Sequence, residues 1–288
     1  MDYTIHDNGW TILINNLDMT KVTQKEINQI ARLLSTNLVV VIRNQNLSIK
    51  DQLKIIGYFK TSRAMMPVEH SEFKPAVANL LEDPYGLISR VTGEKNEDGK
   101  PGVAGWKEEM RWHANQCWGA DRLPIIWLYA VKGTKGSRTT YNNTILAYND
   151  LDLNTQQEIN DYKLVLKRGM SNHINEDGEW GEKSGTPIYD FTPNLVQTNI
   201  AGRIGLYLPF LNVHQILGKT VEETSKIIRP LGEFVIQEKY CYDHDWSDGD
   251  IVIAEQWLSI HKRWEFQEIE SRMLHRIALD FPEQNYLM

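Results

Sequence analysis

From residue 110 onward the chain breaks into short runs of β-branched and aromatic residues, each closed by turn formers. "DIVIAEQ" (250–256) follows the turn "SDGD", and "HRIALDF" (275–281) is a second such run. Two helical patterns interrupt this stretch. One is at 155–166, with Thr155 and Glu158 as a capping pair; the other is at 220–230, with Thr220 and Glu223. Strands this short, separated by turns, predict a β-sandwich or barrel core with helices packed around it. The first 60 residues read differently, as strand, helix, strand, helix. "TQKEINQIARLLS" (23–35) opens on the capping box of Thr23 and Glu26. "LVVVIR" (38–43) is a buried strand, and "SIKDQLKIIGYF" (48–59) is a second capped helix. Two polar, glycine-rich segments, 92–107 and 176–187, read as long loops.

The 288 residues, 41% hydrophobic and 24% charged, suit one domain over 1–288, and no repeat or linker divides it. Two cysteines, Cys117 and Cys241, give no disulfide framework and point to a reducing, cytoplasmic setting. The start, "MDYTIHDNGW", lacks the basic and apolar parts of a signal peptide, and no apolar run reaches the ~18 residues of a membrane span. A net charge of −7 disfavours a nucleic-acid partner and leaves a small-molecule substrate as the expectation.

Chemistry concentrates in "RWHANQCW" (111–118) and in residues far downstream of it. Non-haem Fe(II) oxygenases hold their metal with two imidazoles and one carboxylate on one face. A strand turns every second side chain the same way, so His113 and position 115 share a face if both lie on one strand. His261, in "EQWLSIH", is the candidate for the third ligand. Arg276, on the last strand, can grip a carboxylate through two N–H groups.

In this order and spacing, the chain resembles the TauD/TfdA (taurine dioxygenase) family along nearly its whole length. "LVVVIRNQNLSIKDQLKIIGYF" is similar to the family's strand ending in Arg-x-Gln and the helix after it. "WHAN" matches Trp-His-x-Asp except at the last residue. "GSRTTYNNTILAYNDL" (136–151) and "WSDGDIVIAEQWLSIH" resemble the family's middle and distal-histidine segments. "RMLHRIALDF" resembles the closing strand, whose Arg lies 15 residues after that histidine, as Arg276 does after His261. The resemblance implies a mainly β fold with flanking helices, a double-stranded β-helix (jelly roll) that is clavaminate synthase-like. It implies Fe(II), 2-oxoglutarate as co-substrate, and O2. His113, Asn115 and His261 would be the metal set. Arg276 would grip the distal carboxylate of 2-oxoglutarate, and Thr139 would hydrogen-bond it. The implied reaction hydroxylates a small molecule while 2-oxoglutarate becomes succinate and CO2. Similar enzymes are often homo-oligomers, and no residue pattern here decides the state.

The pattern departs in three places. Asn115 stands where the family has Asp, Ser137 and Arg138 replace Gly-Asp, and Glu255 and Gln256 replace Asp-Asn. A neutral amide is a poorer donor than a carboxylate, and three readings follow. Asn115 ligates through oxygen and the enzyme hydroxylates; or Asn115 stands aside and a halide fills its place, as in a halogenase; or the protein binds iron poorly and serves as a binding module. Elsewhere, His70 is a candidate substrate contact or a surface loop residue, and Trp106, Trp112 and Trp118 are pocket walls or core. His244, in "DHDWSDGD", reads as part of a solvated turn, His275 should face away from Arg276, and Cys117 reads as a small buried residue. Substrate choice would lie in the unpatterned loops, 60–107 and 170–195.

Overall fold

The computed structural model describes residues 1–59, 83, 86–95, 107–115, 117, 119, 122–168, 186–267 and 272–282. His70, His173, Trp106, Trp118 and most of the two long loops fall outside these residues.

The chain begins with strands β1 (Asp2–Ile5) and β2 (Ile12–Asn15), helix α1 (Gln24–Asn37), strand β3 (Val39–Ile42) and helix α2 (Ile49–Ile56). Both expected capping boxes form: Thr23 with Glu26 opens α1, and Ser48 with Asp51 opens α2. α1 buries Ile27, Ile30, Ala31 and Leu34 at helical spacing. It stops where Leu38 turns to φ 65, the left-handed conformation that closes many helices. β3 is buried at every position, which explains its unbroken β-branched run: each face of the strand meets a core.

Next come β4 (Ser89–Thr92), β5 (Met110–His113), β6 (Ile125–Lys132), β7 (Arg138–Asn142), α3 (Thr144–Asn149), α4 (Leu153–Ile159) and β8 (Leu164–Arg168). The helix expected over 155–166 is corrected here. Its cap is Asp152, whose carboxylate accepts from the N–H groups of Asn154 and Thr155, and Thr155 donates its own hydroxyl to that carboxylate. The helix ends at Ile159, and Leu164, Val165 and Leu166 are strand instead. The short α3 carries no long periodic pattern, and the sequence reading missed it.

The chain continues through β9 (Thr186–Ile188), β10 (Val196–Thr198), β11 (Ile204–Leu206), β12 (Val213–Ile216), α5 (Val221–Val235), β13 (Cys241–Asp245), β14 (Ile251–Glu255), β15 (His261–Arg263) and β16 (Met273–Leu279). α5 has the expected Thr220 and Glu223 cap and runs five residues past Pro230.

Two sheets dominate. A seven-stranded sheet has the order β1-β2-β3-β14-β6-β16-β4, and a four-stranded sheet has the order β13-β7-β15-β5. They meet through one apolar layer, in which Val39, Val41, Leu128, Val252 and Leu274 of the first pack with Tyr141, Tyr242 and Trp246 of the second. The other face of the large sheet, with Ile12, Val40, Ile253 and Ile277, lies under α1 and α2. α5 covers a third cluster with β8, β11 and β12. The architecture is therefore mainly β with flanking helices, as the strand pattern predicted. The functional residues lie between the two large sheets.

Candidate active site

Strand pairing brings the distant residues together. In the small sheet His261 of β15 is the Cα partner of His113 on β5 and of Tyr141 on β7. Two residues along, Arg263 is the partner of Thr139. The imidazoles of His113 and His261 lie side by side, with centroids 4.3 Å apart, and the Tyr141 ring stacks on His261 at 5.6 Å. From the facing sheet, β16 and the residue before it turn Arg272, Leu274 and Arg276 toward the same space, because alternate residues share a face. His275 points the opposite way, where Nδ1 meets Gln52 Oε1, as expected. His113, Asn115, Thr139, His261 and Arg276, the five residues singled out in the sequence, all line one pocket of about 500 Å³ including its open mouth.

His113 and His261 are set up as neutral bases. Burial, above all, pushes His113 down to about 4, and the charges of Arg276 and Arg263 act in the same direction. Burial, then His113 and Arg276, hold His261 well below its ordinary range. His113 Nδ1 lies 2.6 Å from the carbonyl oxygen of Arg111. A carbonyl only accepts, so Nδ1 carries the proton and Nε2 keeps its lone pair for the pocket.

Asn115 corrects one expectation about geometry. β5 ends at His113, and Asn115 lies in the turn beyond it rather than on the strand. It reaches the pocket because Gln256 holds it there. The Asn115 N–H donates to Gln256 Oε1 at 3.0 Å, and Gln256 Nε2 donates to the carbonyl of Leu123 at 2.7 Å. The Asn115 amide spans two partners, with Oδ1 3.2 Å from Arg276 Nη1 and Nδ2 3.3 Å from His261 Nε2.

The far end of the pocket is cationic. Arg272 donates from Nε to Ser137 Oγ at 3.2 Å and packs over the Phe266 ring. Its pKa falls to about 9 through burial, then through the charge of Arg263. Burial lowers Arg276 to about 10. Thr139 receives the indole N–H of Trp246 on its Oγ1 at 2.9 Å, which leaves the hydroxyl proton for the pocket. No carboxylate is among the described pocket-lining residues. Glu109 turns outward to Lys262, and Glu108 meets Arg263 through its backbone oxygen. Among the described residues, no group of three or more His, Cys, Asp and Glu side chains could hold a metal.

The sequence reading passed over Arg272 and gave neither Trp246 nor Gln256 a role in the site. For Arg272 a signal existed: it stands four residues before Arg276, just ahead of the same strand and in phase with its pocket face. His244 is a correction. The turn is confined to 247–250; His244 itself lies on strand β13, in which Asp243 and Asp245 face out while His244 faces in. His244 is fully buried, within 3.1 Å of the Tyr242 hydroxyl and 3.2 Å of Asp250 Oδ2. Cys117 is buried, as read, and its carbonyl accepts from Tyr207.

The chain is 24% identical over 212 residues to pentalenolactone F synthase of Streptomyces avermitilis, which covers 68% of each chain. It is 23% identical to the alpha-ketoglutarate-dependent 2,4-dichlorophenoxyacetate dioxygenase of Burkholderia sp., with 87% of this chain and 84% of the relative covered. Among solved structures, AAD-2 in complex with Mn(II) and N-oxalylglycine superposes with a TM-score of 0.72 at 18% identity, over 98% of this chain and 99% of the other. A taurine dioxygenase from Burkholderia xenovorans gives a TM-score of 0.68 at 17% identity, over 94% and 86%. The family described as taurine catabolism dioxygenase TauD, TfdA matches residues 11–278. With His113, His261 and an arginine-walled pocket between two sheets, the chain belongs to the TauD/TfdA dioxygenase family.

Proposed function

We propose that His113, His261 and the amide oxygen of Asn115 hold one Fe(II), and that the enzyme hydroxylates a small molecule. The chain is an Fe(II)- and 2-oxoglutarate-dependent dioxygenase by family, so iron, 2-oxoglutarate and O2 are its reagents. The observation that carries the site assignment is the pair of neutral, adjacent imidazoles opening onto a pocket whose described lining holds Arg263, Arg272 and Arg276 and no acid. The two imidazoles fit a divalent transition metal, and the Nδ1–H of His113 is already spent on a backbone carbonyl, as metal-bound imidazoles require. The third position fits less well, because it offers an amide where a carboxylate is usual.

When bound, the centre supplies oxidative decarboxylation of 2-oxoglutarate to succinate and CO2, coupled to hydroxylation of a substrate C–H bond. The chain's own residues bind, orient and neutralise. The sequence reading gave the distal carboxylate to Arg276; here it is assigned to Arg272. Arg272, beside Ser137 and Thr139, is placed for the distal carboxylate, and the Thr139 hydroxyl adds a donor. Arg276 sits at the histidine end, against Asn115. Trp246 fixes the Thr139 oxygen, and Gln256 fixes the backbone of Asn115.

The two facing sheets support the double-stranded β-helix reading, clavaminate synthase-like, as a single domain over 1–288. Two free cysteines support a cytoplasmic setting, and no described helix is long and apolar enough to cross a membrane. A halogenase needs an open coordination position. Asn115 stands at that place, too large to leave it open and pinned through its backbone N–H by Gln256, which favours hydroxylation.

Anaerobic addition of Fe(II) and 2-oxoglutarate is expected to raise a metal-to-ligand charge-transfer band in the visible, and O2 is expected to release succinate. A native protein without the band, which gains it on Asn115→Asp, would overturn the active-hydroxylase reading. Chlorine incorporated from added chloride would establish the halogenase instead.

A further inference from the structure

The orientation of the Asn115 amide follows from chemistry. Arg276 Nη1 has only hydrogens to offer, so the amide atom 3.2 Å from it must be the oxygen. The amide nitrogen therefore faces His261 Nε2, at 3.3 Å. His261 is neutral, and its Nε2 accepts that N–H. An aspartate in this place would show an oxygen to both neighbours. Asn115 shows an oxygen to the arginine and a donor to the histidine.

That difference has a consequence for any cation that His113 and His261 share. For Oδ1 to join them, the amide must turn over about its last torsion, which has two broad wells about 180° apart. The turn would place the NH2 group against the guanidinium of Arg276, donor against donor, with the hydrogen bond between them lost. Backbone movement cannot relieve the clash easily, because Gln256 pins the Asn115 N–H. One oxygen of an anion between Asn115 Nδ2 and Arg276 Nη1 would satisfy both donors at once.

We propose that Asn115 and Arg276 form a carboxylate-gated coupling element, in which a carboxylate lodged between them turns the amide and so completes the metal site. The proposal rests on the metal assignment made above. Metal and carboxylate then bind cooperatively, and by linkage each strengthens the other by the same factor. An aspartate at 115 removes the need for the turn and with it most of the coupling.

The test is Mn(II) binding, read from the electron paramagnetic resonance signal of free Mn(II), in the natural protein and in Asn115→Asp. Each is titrated with no anion, with acetate, and with N-oxalylglycine. In the natural protein acetate is expected to tighten Mn(II) binding about tenfold or more, and in Asn115→Asp by less than about threefold; for N-oxalylglycine, which also chelates the metal, the reading is the excess gain of the natural protein over the variant. A gain with acetate as well as N-oxalylglycine supports the coupling and shows that any free carboxylate can gate it. A gain with N-oxalylglycine alone, larger than in the variant, supports it and assigns the gate to the co-substrate's own carboxylate. Equal gains in the two proteins, or none, overturn the coupling while leaving the metal site intact. No Mn(II) binding in any arm overturns the metal assignment, and the coupling with it. Should Asn115→Asp fail to fold, Arg276→Gln replaces it: with the guanidinium gone, the acetate gain is expected to fall below about threefold.

Discussion

Thr139 shows how much a single side chain can depend on the one behind it. Its hydroxyl oxygen takes the Trp246 N–H, so its proton is turned toward the pocket. Trp246→Phe removes that donor and frees the hydroxyl to rotate. A net hydrogen bond is worth ~1 kcal/mol, so KM for 2-oxoglutarate is expected to rise about fivefold with kcat little changed, as steady-state succinate release would show. Arg272→Leu deletes a charge-assisted contact and should raise the same KM by about 10- to 100-fold. If Arg272→Leu leaves KM unmoved while Arg276→Leu raises it, the distal carboxylate belongs to Arg276 instead. At this scale the sequence was informative where spacing is short-range or motif-like. His113, Asn115, Thr139, His261 and Arg276 were all legible and share one pocket. Gln256 was not, because its role is a hydrogen bond to a backbone 141 positions away, which no local pattern encodes. His244 was misread because acidic neighbours suggest solvent, although on a strand they alternate away from it.

Among the elements, α4 tests what a cap is. Asp152 accepts from two backbone N–H groups, whereas Thr155 only donates to Asp152. Asp152→Ala is expected to cost ~1 kcal/mol and Thr155→Ala much less, measured by urea midpoints. The sequence reading named only Thr155 with Glu158, a pair that looks like a capping box until Asp152 takes the N–H of Thr155. The turn into β14 is less tolerant. Gly249 has φ +89, and a Cβ there would lie 2.6 Å from the carbonyl oxygen of Gln45. That carbonyl is backbone and cannot swing aside, so Gly249→Ala should cost ~2 kcal/mol or more and lower the melting temperature by several degrees. The strands of the core were legible because β3 and β14, buried on both faces, read as unbroken apolar runs. α3 and β9–β11, at three to six residues, are too short to show a period.

The molecule as a whole answers to pH through groups that it buries uncharged. Burial lowers His113 and His275 to about 4, and it also lowers His244 and His261. In each case the unfolded chain binds the proton more readily, so stability is lost as pH falls from about 6.5 toward 4. Glu255 acts in the opposite sense. Burial raises it to about 7, so its contribution is present at low pH and declines as pH rises from about 4.5 through 7. Four imidazoles outweigh one carboxyl. With a chelator present, the melting temperature should therefore drop between pH 6.5 and 5, and the drop should be steeper in Glu255→Gln. A flat profile across that range would refute the assignment of four buried neutral histidines. The register of β15 against β5 has a further consequence, for the order in which the molecule comes into being. Asn115 and His261 are 146 positions apart, and Arg276 lies beyond both. A ribosome that has exposed the first of these has released an imidazole and an amide with nothing to complete them. The centre cannot take up an ion until His261 has emerged as well, so the choice of metal comes late and rests on whatever the surrounding fluid then offers.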